Sequence, residues 1–350
     1  MTGGFLIHGG DLASASRHYG IARSHWLDLS TGINPLHYPI DNIDVAAFTR
    51  LPYPDQDLLQ AACEYYRVRR CLAVAGSQAV IARLPALLPR LPVLLPDLGY
   101  QEHHASWRRA GNPRRYYPAW QHQQAVAAIE QQLADNRACH LLCINPNNPT
   151  GMMFTPQQLL DWAARLVEGG CLIVDEAFID LTPSSSVLSE HLPDNVLVLR
   201  SFGKFFGLPG VRLGFFMACD AVLDALALQG GLWAVNGPAQ CIARHALRDV
   251  AWQQQARHDI QVMADFTDRL FAPMWQGTDV RGKAGGGLFF SYRLPRLQAL
   301  QRFEHCARHA VLLRYLPLDN DDALLRIGLV AVHDSRTDRL GRLFASYKKC

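Results

Sequence analysis

The sequence predicts an α/β protein: a large domain with a mostly parallel sheet flanked by helices, a smaller α+β C-terminal domain, and an N-terminal arm. Strand-like apolar runs alternate with helix-like segments through the middle of the chain, which is typical of a parallel sheet with helices on both faces. This alternation ends near residue 220, and the first 50 residues show little regular pattern beyond Gly and Pro turns. A length of 350 residues suits roughly two domains.

The strand-like runs of the large domain, predicted over residues 46–240, are short and apolar. They cover residues 71–75, 93–96, 140–144, 171–175, 196–200 and 213–217. Between two of them Val126, Ile129 and Leu133 recur at helical spacing. Thr155 and Pro156 have the residue types of a helix cap and of a first-turn proline. These segments therefore predict a layered sheet and its covering helices.

The remaining regions are predicted from a weaker pattern. Residues 241–350 are expected to form the small domain, with strands near 288–292, 311–315 and 324–330 after a long helical stretch over 220–271. Residues 1–45 are expected to form an arm that packs on the small domain and the active site.

Composition and charge exclude several classes of partner. Apolar residues make up 49% of the chain, and the net charge is only +3, so neither a nucleic acid nor a membrane is an expected partner. The nine cysteines include no CxxC pair, which disfavours a disulfide framework or a zinc site. No secretory signal is visible. We therefore expect a cytoplasmic protein without a metal.

The segment SFGKFFGLPGVRLG, residues 201–214, surrounds Lys204 with aromatic and apolar neighbours. Desolvation lowers the pKa of a lysine, and a neutral amine can attack an aldehyde. Ser201 and Arg212 flank Lys204 at spacings that would let a hydroxyl and a guanidinium reach one phosphate group. A solvated lysine beside a structural arginine would also explain this segment.

Two further segments carry polar residues after strands. CINPNNPTG, residues 143–151, offers Asn148 at the carboxyl end of a strand, where parallel sheets bind ligands. LIVDEAF, residues 172–178, ends a strand with Asp175, which would need a cationic partner if buried. The protonated ring nitrogen of pyridoxal 5'-phosphate (PLP) would be such a partner. Taken alone, an ordinary turn and a helix-capping or Arg-paired aspartate remain alternatives.

In their order along the chain, these three segments resemble the fold type I PLP-dependent enzymes, the aspartate aminotransferase superfamily. The resemblance implies that Lys204 forms a Schiff base with the cofactor. It also implies that Asp175 pairs with the ring nitrogen and that Asn148 faces the ring hydroxyl. Ser201 and Arg212 would hold the cofactor phosphate.

The resemblance extends to less specific positions. Gly76, Ser77 and Gln78 stand between a strand-like and a helix-like run, where backbone N–H groups favour phosphate, and they resemble the superfamily's first phosphate loop. His103, in YQEH, stands where a residue (more often Tyr) stacks on the cofactor ring. A surface histidine is the alternative.

Two further positions of the superfamily have counterparts here. Tyr53, in LPYPD, resembles the tyrosine that reaches the cofactor phosphate of a neighbouring subunit, which implies a homodimer with Tyr53 acting in trans. An ordinary turn tyrosine is the alternative. Arg326, in LLRIGLV, matches the arginine that binds the substrate carboxylate, and a structural arginine is the alternative there.

The N-terminal stretches resemble one family of the superfamily. HGGD at residues 8–11, YG at 19–20 and LDLSTGINPL at 27–36 are similar to the threonine-phosphate decarboxylase family of cobalamin biosynthesis. The resemblance implies a PLP-dependent carboxy-lyase that turns L-threonine O-3-phosphate into (R)-1-amino-2-propanol O-2-phosphate. Ile33 and Asn148 would contact this substrate, and His8 and Arg314 are candidates for its phosphate. A solvated histidine and a surface arginine remain alternatives for the last two.

Two other functions stay open. A histidinol-phosphate-type aminotransferase would carry the same cofactor motifs, a similar Tyr-Pro pair and a C-terminal arginine. A non-catalytic binding protein of the same fold would not need Lys204, Asp175, Asn148 and Arg212 all intact.

Overall fold

The computed structural model describes residues 8–40, 43–135, 137–189, 192–285, 287–318, 321–332, 334, 336, 339–341 and 343–344. The chain forms two compact units, His37–Gln254 and Met1–Leu36 with Gln255–Cys350. The boundaries predicted after residues 45 and 240 thus differ from those of the structure. The larger unit includes residue 38, whose N–H donates to the carbonyl of Phe206, and a helix after residue 236 that packs on earlier helices.

The strands and helices are numbered separately in chain order. The strands are β1 (Leu27–Asp28), β2 (Leu72–Val74), β3 (Val93–Pro96), β4 (Arg114–Tyr117), β5 (His140–Ile144), β6 (Leu172–Asp175), β7 (Val196–Ser201), β8 (Gly214–Met217), β9 (Gly282–Gly285), β10 (Phe289–Pro295), β11 (Val311–Leu312), β12 (Arg314–Pro317) and β13 (Asp322–Gly328). The helices are α1 (Leu12–Tyr19), α2 (Ala46–Thr49), α3 (Gln56–Tyr66), α4 (Ser77–Leu87), α5 (Gln101–Arg109), α6 (His122–Ala134), α7 (Pro156–Arg165), α8 (Phe202–Phe205), α9 (Asp220–Gly230), α10 (Gly237–Ala246), α11 (Val250–Phe271) and α12 (Arg296–Arg308). Among the described residues, no helix is long and apolar enough to cross a bilayer.

The larger unit contains a seven-stranded sheet in the order β2-β8-β7-β6-β5-β3-β4. Every pair from β7 to β4 is parallel, whereas β8 is antiparallel to both of its neighbours, β7 and β2. All residues of β5 and β6 are buried, as expected for central strands covered on both faces. The predicted α/β class with a mostly parallel sheet is confirmed.

The start of α7 follows the prediction from Thr155 and Pro156. The Thr155 side chain accepts a hydrogen bond from the N–H of Gln158, and the Gln158 side chain binds the Thr155 N–H in return. This capping box satisfies two N–H groups at the helix start that would otherwise lack partners. The predicted helix start is confirmed.

The single helical stretch predicted over residues 220–271 is wrong. The structure has three helices there, α9, α10 and α11. Gly231 follows α9 with a φ of +73°, a conformation that L side chains rarely adopt. Asn236 then caps α10 by accepting a hydrogen bond from the N–H of Ala239. The glycine ends one helix and the asparagine begins the next.

The smaller unit contains a four-stranded antiparallel sheet in the order β12-β13-β10-β9. A separate two-stranded parallel sheet, β1 with β11, pairs the N-terminal segment with the C-terminal part of this unit. The strand predicted over 311–315 is divided at Leu313 into β11 and β12, which belong to different sheets. The predicted α+β character of this region is present.

Candidate functional site

Lys204 lies on the short helix α8, directly after the carboxyl end of β7. Its side chain is half-buried, and Nζ is 5.4 Å from the centre of the Phe178 ring. Phe202, Phe205 and Phe206 beside it in the sequence are buried. The amine therefore has the apolar, aromatic surroundings that the sequence predicts.

Asp175 ends β6, the strand next to β7 in the sheet. Its side chain is buried, with Oδ2 2.8 Å from Nε2 of His103, while Oδ1 accepts a hydrogen bond of 3.0 Å from the N–H of Ala177. These two partners fix the plane of the carboxylate. An ionised carboxylate has about four lone-pair positions, so a further cationic partner could be accommodated.

His103 is buried on α5. The sequence did not predict the contact between its Nε2 and the carboxylate of Asp175. A stacking role for His103 stays a prediction. Tyr100, the residue directly before the same helix, is an aromatic neighbour of Asp175 that the sequence pattern does not identify. Burial first, then Glu102 and Asp175, raise its pKa to about 12, while Arg212 lowers it. The phenol therefore lies within electrostatic reach of the site.

Gly76, at the start of α4, forms a close turn against Arg212. Its φ is +76°, and a Cβ on it would lie 2.8 Å from Nη2 of Arg212. A Cβ on Gly214 would lie 2.7 Å from the backbone nitrogen of Ser77, and Ser201 is the register partner of Gly214. The structure thus brings together a helix N-terminus, a hydroxyl and a guanidinium, a donor set suited to phosphate.

Gln78 extends this turn with contacts to α5. Its Nε2 donates to Oε2 of Glu102 at 3.0 Å, and its Oε1 accepts from the hydroxyl of Tyr100 at 3.2 Å. The Gln78 side chain therefore ties the turn to the helix that carries His103, and only its backbone remains a candidate for binding phosphate.

The loop after β5 is held by two buried asparagines. Asn145 exchanges hydrogen bonds of 3.1 and 2.7 Å with the backbone of Phe154, and Nδ2 of Asn147 donates to the carbonyl of Leu98 at 3.1 Å. Asn148 next to them is half-buried. Two amides of the motif thus fix the loop, and Asn148 stays the candidate for the cofactor.

An ion network lies beside the strand ends that carry Asp175 and Ser201. Arg200 Nη1 is 2.8 Å from Oε2 of Glu176, and Nη2 also binds Asp180. All three network residues are buried, and burial raises the pKa of Glu176, although Arg200 opposes this shift. Because neighbouring strand residues point to opposite faces, the network anchors both strand ends from the face opposite the site.

Two arginines of the smaller unit are neighbours across strands. Arg314 on β12 and Arg326 on β13 are register partners, which places their side chains on one face of the sheet. Both are buried. Burial lowers the pKa of Arg314 to about 10. The pKa of Arg326 is also about 10, because burial and then the charge of Arg314 lower it while Asp28 raises it. Two like charges in this position favour the binding of an anion.

The N-terminal segment contacts Arg326 through Ser30. Arg326 Nη2 donates to the Ser30 carbonyl oxygen at 2.5 Å. The Ser30 hydroxyl donates to Oδ1 of Asp28 at 2.5 Å and accepts from the Gly10 N–H at 2.8 Å. No local sequence pattern marks Ser30, because its contacts join segments about 20 and 300 positions apart.

The other predicted site residues lie in more open positions. His8 is exposed, and Ile33 is half-buried in the loop after β1. Tyr53 is 66% exposed, and its ring lies 6.3 Å from that of Trp233 in a T-shaped arrangement. Tyr53 also borders an apolar cavity of about 390 Å³ in the larger unit.

Comparison with known proteins places the chain in a family. Residues 25–340 match the model of the family "Aminotransferase class I and II". The chain is 43% identical to a threonine-phosphate decarboxylase of Pseudomonas aeruginosa over 93% of both chains. It is 36% identical to a threonine-phosphate decarboxylase of Sinorhizobium sp over 97% of this chain and 98% of the relative.

A solved structure agrees with this assignment at the level of the fold. Histidinol-phosphate aminotransferase from Sinorhizobium meliloti, in complex with pyridoxal-5'-phosphate, superposes with a TM-score of 0.79 at 18% identity, over 99% of this chain and 100% of the other. The family resemblance drawn from the sequence is confirmed. The chain belongs to the aminotransferase class I and II family, and within that family to the threonine-phosphate decarboxylases.

Proposed function

We propose that this chain is a PLP-dependent carboxy-lyase that converts L-threonine O-3-phosphate into (R)-1-amino-2-propanol O-2-phosphate and carbon dioxide, a step of cobalamin biosynthesis. Its membership among the threonine-phosphate decarboxylases supports the reaction. The single structural observation that carries the proposal is the cross-strand pair Arg314 and Arg326. A phosphorylated amino acid has two anionic groups, and two buried adjacent guanidinium groups suit such a substrate.

PLP fits the residues of the larger unit. The close approach of Arg212 to the Gly76 turn supports a phosphate site, with Ser201 and the start of α4 as further donors. The buried carboxylate of Asp175 suits a cationic ring nitrogen, and Asn148 suits the ring hydroxyl. When bound, PLP supplies an aldehyde that captures amines and a protonated ring that accepts the electron pair released as carbon dioxide leaves.

The protein's own groups would bind, orient and protonate. Arg326 would bind the substrate carboxylate and Arg314 its phosphate, with His8 as a second candidate for the phosphate. Asp175, held by His103, would keep the ring nitrogen positive. The Lys204 amine would bind the cofactor aldehyde and is the candidate for returning a proton to Cα. The phenylalanines around Lys204 would keep water from this amine.

The histidinol-phosphate aminotransferase alternative has weaker support. A histidinol-phosphate aminotransferase of Syntrophus aciditrophicus is 27% identical over 59% of this chain, whereas the decarboxylase of Pseudomonas aeruginosa is 43% identical over 93%. A non-catalytic binding protein is disfavoured because Lys204, Asp175, Asn148 and Arg212 are all retained.

One assay separates the three functions. The purified protein is incubated with PLP and L-threonine O-3-phosphate, and carbon dioxide and keto acid are measured with and without 2-oxoglutarate. We expect carbon dioxide that does not depend on 2-oxoglutarate. Keto acid that depends on 2-oxoglutarate would favour an aminotransferase. Absence of both products and of a visible cofactor band would favour a binding protein.

L-threonine without the phosphate is the matched control substrate. If the arginine pair binds both anionic groups, kcat/KM for L-threonine should be at least about a hundredfold lower than for L-threonine O-3-phosphate. The reason is that two charge-assisted hydrogen bonds to the phosphate are lost. Equal kcat/KM values for the two compounds would contradict the phosphate part of the proposal.

We further propose a homodimer in which Tyr53 acts on the partner's cofactor site. Monomeric proteins rarely expose large contiguous apolar patches, and the larger unit exposes several large apolar side chains. They are Phe48, Leu51, Tyr53, Leu228, Leu232 and Trp233. Three of them, Tyr53, Leu232 and Trp233, also line the 390 Å³ cavity, so a second copy would cover a surface that is both apolar and recessed.

Subunit mixing tests this arrangement. Lys204→Ala and Tyr53→Ala should each impair activity. A mixture of the two inactive or impaired variants, exchanged under mild denaturant, should regain activity, because one site of each mixed dimer then has both residues. No recovery in mixtures that sedimentation shows to contain mixed dimers would rule out action in trans. A monomer at micromolar concentration would rule out the dimer itself.

A further inference from the structure

Ser30 connects two parts of the smaller unit through different atoms. Its carbonyl oxygen accepts a hydrogen bond from Nη2 of Arg326, and its hydroxyl accepts one from the N–H of Gly10. The hydroxyl in turn donates to Oδ1 of Asp28, which also accepts from the backbone N–H of Ser30. Ser30 is only 1% exposed. The residue therefore links the start of the arm to the guanidinium proposed to bind substrate.

The backbone around Ser30 is packed without room for a methyl group on either side. A Cβ on Gly9 would lie 2.3 Å from the Ser30 carbonyl oxygen, and one on Gly328 would lie 2.3 Å from the carbonyl oxygen of Thr31. The N–H of Gly328 donates to the carbonyl of Leu29 at 2.7 Å. Residues 29–31 are thus held between the Gly9–Gly10 turn on one side and the end of β13 on the other.

We propose that Ser30 is a positioning residue for substrate recognition, which holds the Gly9–Gly10 turn in register with the Arg326 guanidinium. The inference rests on the proposed function, because it assigns His8, directly before that turn, and Arg326 to two anionic groups of one substrate. Without the Ser30 hydroxyl, the turn loses its hydrogen bond while the Ser30 carbonyl still binds Arg326. Loss of the hydroxyl should therefore weaken substrate binding and leave the chemical step intact.

The test is Ser30→Ala in the full-length enzyme loaded with PLP. We expect KM for L-threonine O-3-phosphate to rise about fivefold, as for one lost hydrogen bond, with kcat changed by less than about twofold. The inhibition constant of inorganic phosphate should rise by a similar factor. Ser14→Ala is the matched control, because the Ser14 hydroxyl on α1 has an exposed partner, Arg17, and should leave both constants unchanged.

Amide hydrogen exchange supplies a readout that needs no substrate. The Gly10 amide should exchange about fivefold faster in Ser30→Ala. Ser30→Cys, which keeps a weak side-chain acceptor without adding a methyl group, should fall between wild type and Ser30→Ala in both exchange and KM. An unchanged KM, or a fall in kcat at constant KM, would overturn the proposal. If Ser30→Ala does not fold, Ser30→Cys carries the test: faster Gly10 exchange together with a raised KM supports the proposal, and faster Gly10 exchange with a wild-type KM overturns it. Wild-type protein without decarboxylase activity would refute the proposed function, while the exchange result would still test the Ser30 contact.

Discussion

Arg326→Met is expected to stabilise the ligand-free protein while it removes substrate binding. Burial beside Arg314 lowers the pKa of Arg326 to about 10, well below the ordinary guanidinium value. A difference of one in pKa corresponds to about 1.4 kcal/mol, so the folded protein disfavours this charge by about 3 kcal/mol. Methionine has no charge and a similar length, so the substitution removes that cost.

The gain is offset in part by the lost contact with Ser30. A buried carbonyl left without its donor costs about 1–2 kcal/mol, so the net gain should be about 1–2 kcal/mol. Tm should therefore rise by roughly 2–6 °C. A guanidinium whose pKa is lowered in the folded state stays protonated at every pH below about 10. The destabilising charge is thus fully present at neutral pH, and the gain should be constant between about pH 6 and 8.

Calorimetry of the ligand-free protein measures the change in Tm. Substitutions of two arginines on α12 serve as controls. Arg302 is buried and donates to the carbonyl of Met274, so Arg302→Met should lower Tm. The Arg308 side chain is 73% exposed, and Arg308→Met should leave Tm unchanged. A lower Tm for Arg326→Met than for wild type, or a wild-type KM for substrate in that variant, would refute the reasoning.

Three further substitutions test the larger unit. Lys204→Ala should abolish turnover with Tm changed by less than about 2 °C, since the position is half-buried; retained turnover would rule out the assigned amine. Gly76→Ala should weaken PLP binding at least about tenfold in a fluorescence titration, because its Cβ would meet Arg212 at a φ of +76°; an unchanged Kd would contradict the phosphate site. Arg200→Met should lower the free energy of unfolding by about 3–5 kcal/mol. This loss should become smaller as pH falls. Burial raises the pKa of Glu176, so its carboxylate, left without Arg200, is protonated and neutralised at mildly acidic pH. A loss that grows toward low pH in urea titrations would contradict this.

The strand ends that carry the cofactor candidates could be predicted because their signals are local. The predicted and observed strands coincide at His140–Ile144 and differ by one residue at β6 and β7. Each is an apolar run followed at once by a polar residue, and this pattern needs no knowledge of distant partners. The sequence therefore predicts Asp175 as the last residue of its strand, as the structure has it, and places Ser201 directly after a strand whose last residue it is in the structure.

Elements whose stability comes from their neighbours were missed. β4 is the sequence RRYY, with two exposed, one half-buried and one buried residue, and it exists because β3 pairs with it. β9 likewise alternates between half-buried and exposed residues and pairs only with β10 among the described strands. The contact of His103 with Asp175 joins residues 72 positions apart. No local periodicity contains such information, so these features emerge only when distant segments pack.

The position of β8 has a consequence for how the protein is made. This strand lies between β2 and β7 in the sheet, although it follows both in the chain. A nascent chain that ends before Gly214 therefore cannot give β2 its neighbour, and pairings between distant segments form slowly. During refolding, the protein should therefore bind PLP only after β8 has inserted between β2 and β7. The time course of cofactor fluorescence would then report when the sheet is complete.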